Sequence, residues 1–191
     1  EAEQIKSHPC TVHIWDLKRI YNLEASRTER EEMYIDLKDH PIPCLLANQT
    51  ENKIQSLLAV MSGNTLVDLY ERWGSRLLEQ NVRSFLQSRG KVNKGIRSTI
   101  LDAPDNFFPY NNGLTTIAEE VVTDVINGQT YITGLKNLQI VNGGQTTASL
   151  YSTYFKEKAD VSNVFVQMKL TVFPDFESTD LVSKIARFAN S

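Results

Sequence analysis

The stretch "LQIVNGGQTTASLYSTYF", residues 138–155, contains an abrupt change of pattern. A short apolar run ends at Val141, amide and glycine residues occupy positions 142–145, and a helical pattern begins at once. The apolar run predicts a short buried strand, and Leu150 and Tyr154 lie at helical spacing on one face. The stretch therefore predicts a strand that turns tightly into a helix.

The turn itself has two readings. Gly143 and Gly144 can adopt positive φ and let the backbone approach a ligand closely. Successive N–H groups there, followed by a helix N-terminus, form a site for anions. The hydroxyls of Thr146 and Thr147 suit either helix capping or phosphate oxygens, and no Gly-Lys-Ser/Thr follows to make a Walker motif. The turn is therefore either a plain connection or a phosphate site.

A second amide-rich turn, Asn111-Asn112-Gly113, comes directly before an alternating strand pattern. Asparagine tolerates left-handed backbone and bonds locally, so a well-made turn is one interpretation. Both turns lie at strand ends, however, and two such turns on adjacent strands can face one ligand. The sequence predicts a shared site, with the plain-turn reading left open.

A basic stretch lies between Glu79 and Asp102, where the chain has no acidic residue although its formal net charge is -3. A solvated helix face explains such a run, and a phosphate-binding wall is the alternative because arginine binds phosphate in a bidentate way. Phe85 and the aromatic residues of 107–110 suit base stacking or a core. The basic residues are Arg83, Arg89, Lys91, Lys94 and Arg97.

Composition limits the classes of function. The hydrophobic fraction of 41% and charged fraction of 23% over 191 residues are those of an ordinary globular protein. The charge balance carries no global nucleic-acid or membrane signature, no run is long enough to span a membrane, and two cysteines favour a reducing compartment. We therefore expect a cytoplasmic protein without a membrane partner.

Metal binding and catalysis find little support in the sequence. His8, His13 and His40 lack acidic or cysteine partners at ligand spacing, so no metal site is expected. No Ser-His-Asp set, nucleophile elbow or metalloprotease helix is visible. Binding is therefore favoured over catalysis, and no cofactor is identified.

The remaining patterns predict an α+β fold: helices first, then a mixed β-sheet with a hairpin and packed helices. Asn127-Gly128 between two alternating segments predicts a hairpin. Ser62 or Asn64 caps a helix that Gly74 ends. The segment "HPIPCLL", residues 40–46, contains two prolines and is expected outside any helix or central strand.

Two long motif runs resemble a known family. "LLEQNVRSFLQSRGKVNKGIRSTILDAPDNFFPYNNGLTTIAEEV" and "LKNLQIVNGGQTTASLY" are similar to the AIPR family, the abortive-infection phage-resistance proteins of bacteria, and "VQMKLTVF" and "LVSKIARFANS" extend the match. The resemblance implies a role in phage defence, and the nuclease signature that some members carry upstream is not visible here. It divides the chain into a partial N-terminal linking region, 1–60, and an AIPR-like core, 61–191, that we expect to be truncated at its C-terminus.

A more distant likeness links "IVNGGQTTASL" to the loop of the DGQHR and ParB/sulfiredoxin-like proteins, several of which bind nucleotides. By position it implies that Asn142, Gly143, Gln145 and Asn190 face a ligand. Asparagine replaces the family's acid, and Thr146 or Thr147 stands in place of its arginine. Phosphate charge would then come from Arg83, Lys94 or Arg97.

These observations predict a nucleotide- or nucleic-acid-binding module of bacterial phage defence with a ParB/sulfiredoxin-like or related sheet. The alternatives are an NTPase or nuclease-associated domain and a scaffold for partner contacts. The predicted ligand-binding residues are Arg83, Lys94, Arg97, Asn111, Asn112, Gly113, Asn142, Gly143, Gly144, Gln145, Thr146, Thr147 and Asn190.

Overall fold

A mixed β-sheet forms the centre of the fold. The computed structural model describes residues 32–49, 54–78, 93–174 and 179–189. The strands are β1 (Tyr34–Asp36), β2 (Ile42–Gln49), β3 (Gln55–Ser62), β4 (Leu114–Ala118), β5 (Glu120–Ile126), β6 (Gln129–Lys136), β7 (Gln139–Asn142) and β8 (Phe165–Val172). The α-helices are α1 (Gly63–Trp73), α2 (Asn93–Asp102), α3 (Phe107–Tyr110), α4 (Gly144–Glu157) and α5 (Thr179–Ala189).

Among the described strands, β6 pairs with β5 along one edge and with β1 and then β2 along the other edge. From β2 the order across the sheet continues as β3-β8-β4-β7. β4 pairs with β8 in parallel, whereas the other pairs are antiparallel. The predicted α+β class and mixed sheet are confirmed. The expectation that helices come first is wrong, because β1, β2 and β3 precede α1. β3 spans residue 60, the predicted division of the chain, and that division stays a prediction.

The structure of β2 contradicts the expectation for the proline-containing segment. Pro43 lies inside a strand that has neighbours on both sides, so the expectation for residues 40–46 is wrong. The pairing of β2 with β6 ends at Pro43, opposite Tyr131, and its pairing with β3 begins at Cys44. The missing N–H of the proline therefore lies where the strand changes partner, as at the strand beginnings that tolerate proline. Cys44 itself is buried, and burial raises the pKa of its thiol, which makes it a poor nucleophile.

The hairpin turn and the ends of α1 form where the sequence predicts them. Asn127 and Gly128 have φ of 54° and 82° in the tight turn between β5 and β6. The hydroxyl oxygen of Ser62 accepts the N–H of Thr65 at 3.1 Å and caps α1, and Gly74 ends that helix. The hairpin and this helix are thus confirmed.

Helices cover parts of both faces of the sheet. Buried Leu66 of α1 and Leu150 of α4 belong to the main core together with Leu57 of β3 and Met168 of β8. A second cluster packs α5 on β4 and β7, and its buried members are Ile117, Val141, Phe173 and Ala186. Within the described ranges, no helix combines the length and apolar character needed to cross a bilayer.

A polar cluster joins the start of β1 to the junction of β4 and β5. The Asn137 amide donates to one oxygen of Glu119 at 2.6 Å, and Lys136 donates to the other at 3.0 Å. The N–H of Met33 donates to Asn137 at 2.8 Å. The hydrogen bond from Asn137, with a smaller effect of Lys136, lowers the pKa of Glu119.

This cluster predicts an acid-dependent part of the stability. Because the folded-state pKa of Glu119 is lowered, its contribution is complete above the unfolded value of about 4.3 and disappears as the pH falls through the folded value. Glu119→Gln should lower the free energy of unfolding by about 1–2 kcal/mol at pH 7. The difference in unfolding free energy between Glu119→Gln and the unchanged chain should become smaller as the pH falls, as measured by urea unfolding at several pH values.

Glu120→Gln is the matched control, because Glu120 is exposed on β5 and its side chain has no hydrogen bond to any described residue. This variant removes the same negative charge at the neighbouring position. Equal losses in the two variants would show that net charge, and not the cluster, causes the effect.

Candidate functional site

The two amide-rich turns meet at one end of the sheet. β4 and β7 are antiparallel neighbours, with Thr115 opposite Asn142. The turn before β4 therefore lies beside the turn after β7. The structure brings together the predicted residues 111–113 and 142–147, although they come from separate parts of the sequence.

Side-chain hydrogen bonds tie the turns to each other. The Asn111 amide nitrogen lies 3.2 Å from the Thr146 hydroxyl, which in turn lies 3.3 Å from the Asn111 amide oxygen. That amide oxygen also accepts the N–H of Gly113 at 2.9 Å. The Asn112 carbonyl accepts the side-chain amide of Gln167 at 3.0 Å. Sequence reasoning missed Gln167, because no local pattern shows that β8 runs beside β4.

Two glycines permit this approach of backbone to backbone. Gly143 has φ of 96°, and a Cβ added there would lie 2.7 Å from the Gly113 carbonyl oxygen. Gly113 has φ of 76°, and its added Cβ would lie 2.4 Å from the Gln167 carbonyl oxygen. Any larger residue would therefore push the two turns apart or away from β8.

The N-terminus of α4 keeps free backbone donors. It has no side-chain cap, and the hydroxyl and N–H of Thr147 both donate to the Gly143 carbonyl, at 3.2 and 3.1 Å. The N–H groups of Gly144, Gln145 and Thr146 make no hydrogen bond to any described residue, and neither does the Gln145 side chain. Such a left-handed residue followed by a helix start aims its N–H groups at one point, where an anion fits.

Asn142 has an internal partner. Its amide nitrogen donates to the carbonyl of Ala189 in the last turn of α5. The bond satisfies a carbonyl that the helix itself leaves without a donor. Asn142 thus fastens α5 to the sheet, and the predicted ligand-facing residue Asn190 lies outside the described residues.

The basic candidates do not join the turns in the described part of the chain. Arg97 of α2 pairs with Glu157 at the far end of α4, with Nε and Oε1 2.7 Å apart. The hydrogen bond between them raises the pKa of Arg97 and lowers that of Glu157. Glu157 lies twelve residues after Gln145, which is about 18 Å along a helix. Lys94 is exposed on α2, and Arg83, Arg89, Lys91 and Phe85 lie outside the described residues.

The arrangement offers hydrogen-bond donors and little acid–base chemistry. Among the described residues, no carboxylate or imidazole hydrogen-bonds to either turn. The same ranges contain no cluster of three metal-ligating side chains. A shallow depression adjoins the turn at residues 111–113 and is lined by Gly95, Ile96, Thr99, Phe107, Tyr110 and Asn111.

Gly143→Ala tests the close approach of the turns. The added methyl group meets backbone oxygen and must also adopt positive φ, so we expect a loss of about 2–4 kcal/mol in the free energy of unfolding. Gly128→Ala is matched for positive φ, but its Cβ would meet nothing within 4 Å. It should cost only about 1–2 kcal/mol in denaturant unfolding, and equal costs would refute the packing argument.

Asn142→Asp tests the attachment of α5. A carboxylate replaces the donor and faces the negative end of the helix, so both the hydrogen bond and the helix dipole oppose it. We expect the amides of α5 to exchange with deuterium at least several-fold faster. Asn112→Asp is the control, because Asn112 is exposed and its side chain bonds to no described residue; faster α5 exchange in that variant too would contradict the assignment.

No curated protein and no solved structure matches the chain. The more distant likeness to DGQHR and ParB/sulfiredoxin-like proteins stays a prediction. Residues 78–191, which contain both turns, match the family model described as AIPR protein. That match covers more than half of the chain, so the chain belongs to the AIPR family, which associates it with abortive infection and phage resistance.

Proposed function

We propose that this chain is a module of a bacterial, cytoplasmic phage-defence protein and binds the phosphate of a nucleotide or nucleic acid at the N-terminus of α4. The observation that carries the proposal is the set of N–H groups at Gly144, Gln145 and Thr146 that have no partner among the described residues, beside the turn at residues 111–113. A negative charge at such a helix end is stabilised by both the hydrogen bonds and the helix dipole.

The magnitude of these effects limits the affinity. One helix end contributes about 0.3–2 kcal/mol to binding an anion, whereas a millimolar dissociation constant needs about 4 kcal/mol. Inorganic phosphate alone should therefore bind more weakly than with a millimolar dissociation constant. A nucleotide or oligonucleotide gains the remainder from contacts beyond the phosphate, and the depression beside Asn111 adjoins the site.

Binding suits the site better than hydrolysis does. General acid–base catalysis needs a titratable group within hydrogen-bond reach of the reacting atoms. In the described part of the molecule, the partners of both turns are amides, hydroxyls and carbonyls. We assign the turns to ligand positioning.

A scaffold without a ligand is the second candidate. It is favoured by the internal hydrogen bonds of Asn111, Asn142, Thr146 and Thr147, which give these four side chains structural partners. These bonds explain the amide and hydroxyl residues without any ligand. They leave Gln145 and the free N–H groups unexplained.

Gln145→Glu separates the two candidates. A glutamate in the first turn of a helix keeps or slightly raises stability, because it faces the positive end of the dipole. The same charge repels a phosphate. Nucleotides at millimolar concentration should raise the melting temperature of the unchanged chain, and Gln145→Glu should abolish the rise while the protein remains folded.

Gln145→Ala and a nucleoside without phosphate are the controls. The alanine variant keeps every backbone N–H group, so it should retain most of the shift, and the nucleoside should produce none. Absence of any shift with phosphate, nucleotides and oligonucleotides would favour the scaffold. Release of phosphate from a nucleotide in the presence of magnesium, abolished by Gln145→Glu, would instead make the site an NTPase.

A further inference from the structure

The C-terminal end of α4 presents aromatic and basic side chains together. Residues 154–158 are all exposed, and Tyr154 and Phe155 keep 40% and 52% of their surface accessible. Two large rings, adjacent in sequence, therefore reach the surface at this end of the helix. We call residues 154–158, with Lys94 and Arg97 of α2, the α4 tip.

Phe155 is held in a ladder of rings. It stacks nearly parallel on Tyr151, with ring centroids 5.8 Å apart and an interplanar angle of 15°. Tyr151 in turn contacts Tyr70 of α1 at 5.1 Å with the rings tilted by 56°. Tyr70 and Tyr151 are half-buried against the main core. The position of Phe155 is therefore set before any ligand arrives, which lowers the entropy cost of stacking.

One cation contacts this ring, and further basic residues lie in or beside the end of α4. Lys158 Nζ lies 5.1 Å from the Phe155 centroid, in a cation–π contact. Lys156 is next in sequence to Phe155, and Arg97 reaches α4 through Glu157. Glu157 offsets one of the cations of the α4 tip, which are Lys94, Arg97, Lys156 and Lys158. The excess contrasts with the net charge of -3 of the whole chain.

The helix dipole explains only part of this pattern. Cations near a helix C-terminus interact favourably with its dipole, which accounts for Lys156 and Lys158. It does not account for an exposed phenylalanine that is fixed by stacking. Aromatic rings that present a face within a positively charged surface are the means by which proteins bind single-stranded nucleic acid without reading its sequence.

We infer that the α4 tip binds single-stranded nucleic acid, with a base stacked on Phe155 and phosphates paired with Lys158, Lys156 and Lys94. Lys158 leaves the ring face and takes a backbone phosphate when a base replaces it there. Phe155 lies ten residues after Gln145, about 15 Å along α4. The surface is thus separate from the proposed phosphate site and does not depend on it.

Fluorescence polarisation with labelled oligothymidine, oligouridine and a duplex of equal length tests the inference on the 191-residue chain. The single strands should bind more tightly than the duplex at low salt. Phe155→Ala should weaken single-strand binding about tenfold or more, whereas Phe155→Tyr should retain it. Lys158→Ala should reduce the slope of log affinity against log salt by about 0.7.

Phe165→Ala is the matched control, because Phe165 is 44% exposed on β8 and does not belong to the α4 tip. It should leave binding unchanged. Melting temperatures close to that of the unchanged chain verify folding, as expected for exposed positions. Failure of both single strands to bind, equal effects of Phe155→Ala and Phe165→Ala, or equal affinity for the duplex would overturn the inference.

Discussion

The close approach of Gly143 to the Gly113 carbonyl fixes the end of the sheet that holds both amide-rich turns. No methyl group fits between them, since an added Cβ would lie 2.7 Å from that oxygen. The contact sets the exit of β7 against the entry of β4 and thereby places the first turn of α4. Because Gly113 is equally close to β8, three strands and one helix share a single packing point.

This packing determines what chemistry the site can perform. Several side chains that the sequence predicts to face a ligand instead form hydrogen bonds within the protein. Asn111 bonds to Thr146, Thr147 to Gly143, and Asn142 to the end of α5. The donors without a partner among the described residues belong to the backbone. Backbone N–H groups bind an anion well but do not titrate near neutral pH and cannot serve as general acids or bases, which fits the proposed binding role.

α4 connects this site to a second surface of different character. Its N-terminus presents the positive end of the helix dipole and few charged side chains, whereas its C-terminus carries exposed rings and cations. Arg97, which the sequence offers as a phosphate ligand for the turns, is held at the latter end by Glu157. The helix therefore separates the two polar features of the chain by most of its length.

Features that depend on a few neighbouring residues can be predicted from the amino-acid sequence alone. Ser62 caps α1, Gly74 ends it, and Asn127-Gly128 forms the hairpin turn, because each depends on backbone preferences within a few positions. The sequence also located both amide-rich turns and the family to which the chain belongs.

Contacts between residues far apart in the sequence follow from the tertiary fold. Pro43 lies inside a strand because β2 changes partner there, and Arg97 pairs with Glu157 across 60 positions. Asn142 reaches the carbonyl of Ala189 across 47 positions. Such pairs depend on strand order and helix packing, and residues that far apart leave no periodic trace in the sequence. The physical reason is that local preferences act through adjacent backbone dihedrals, whereas long-range partners are selected by the burial of a shared core.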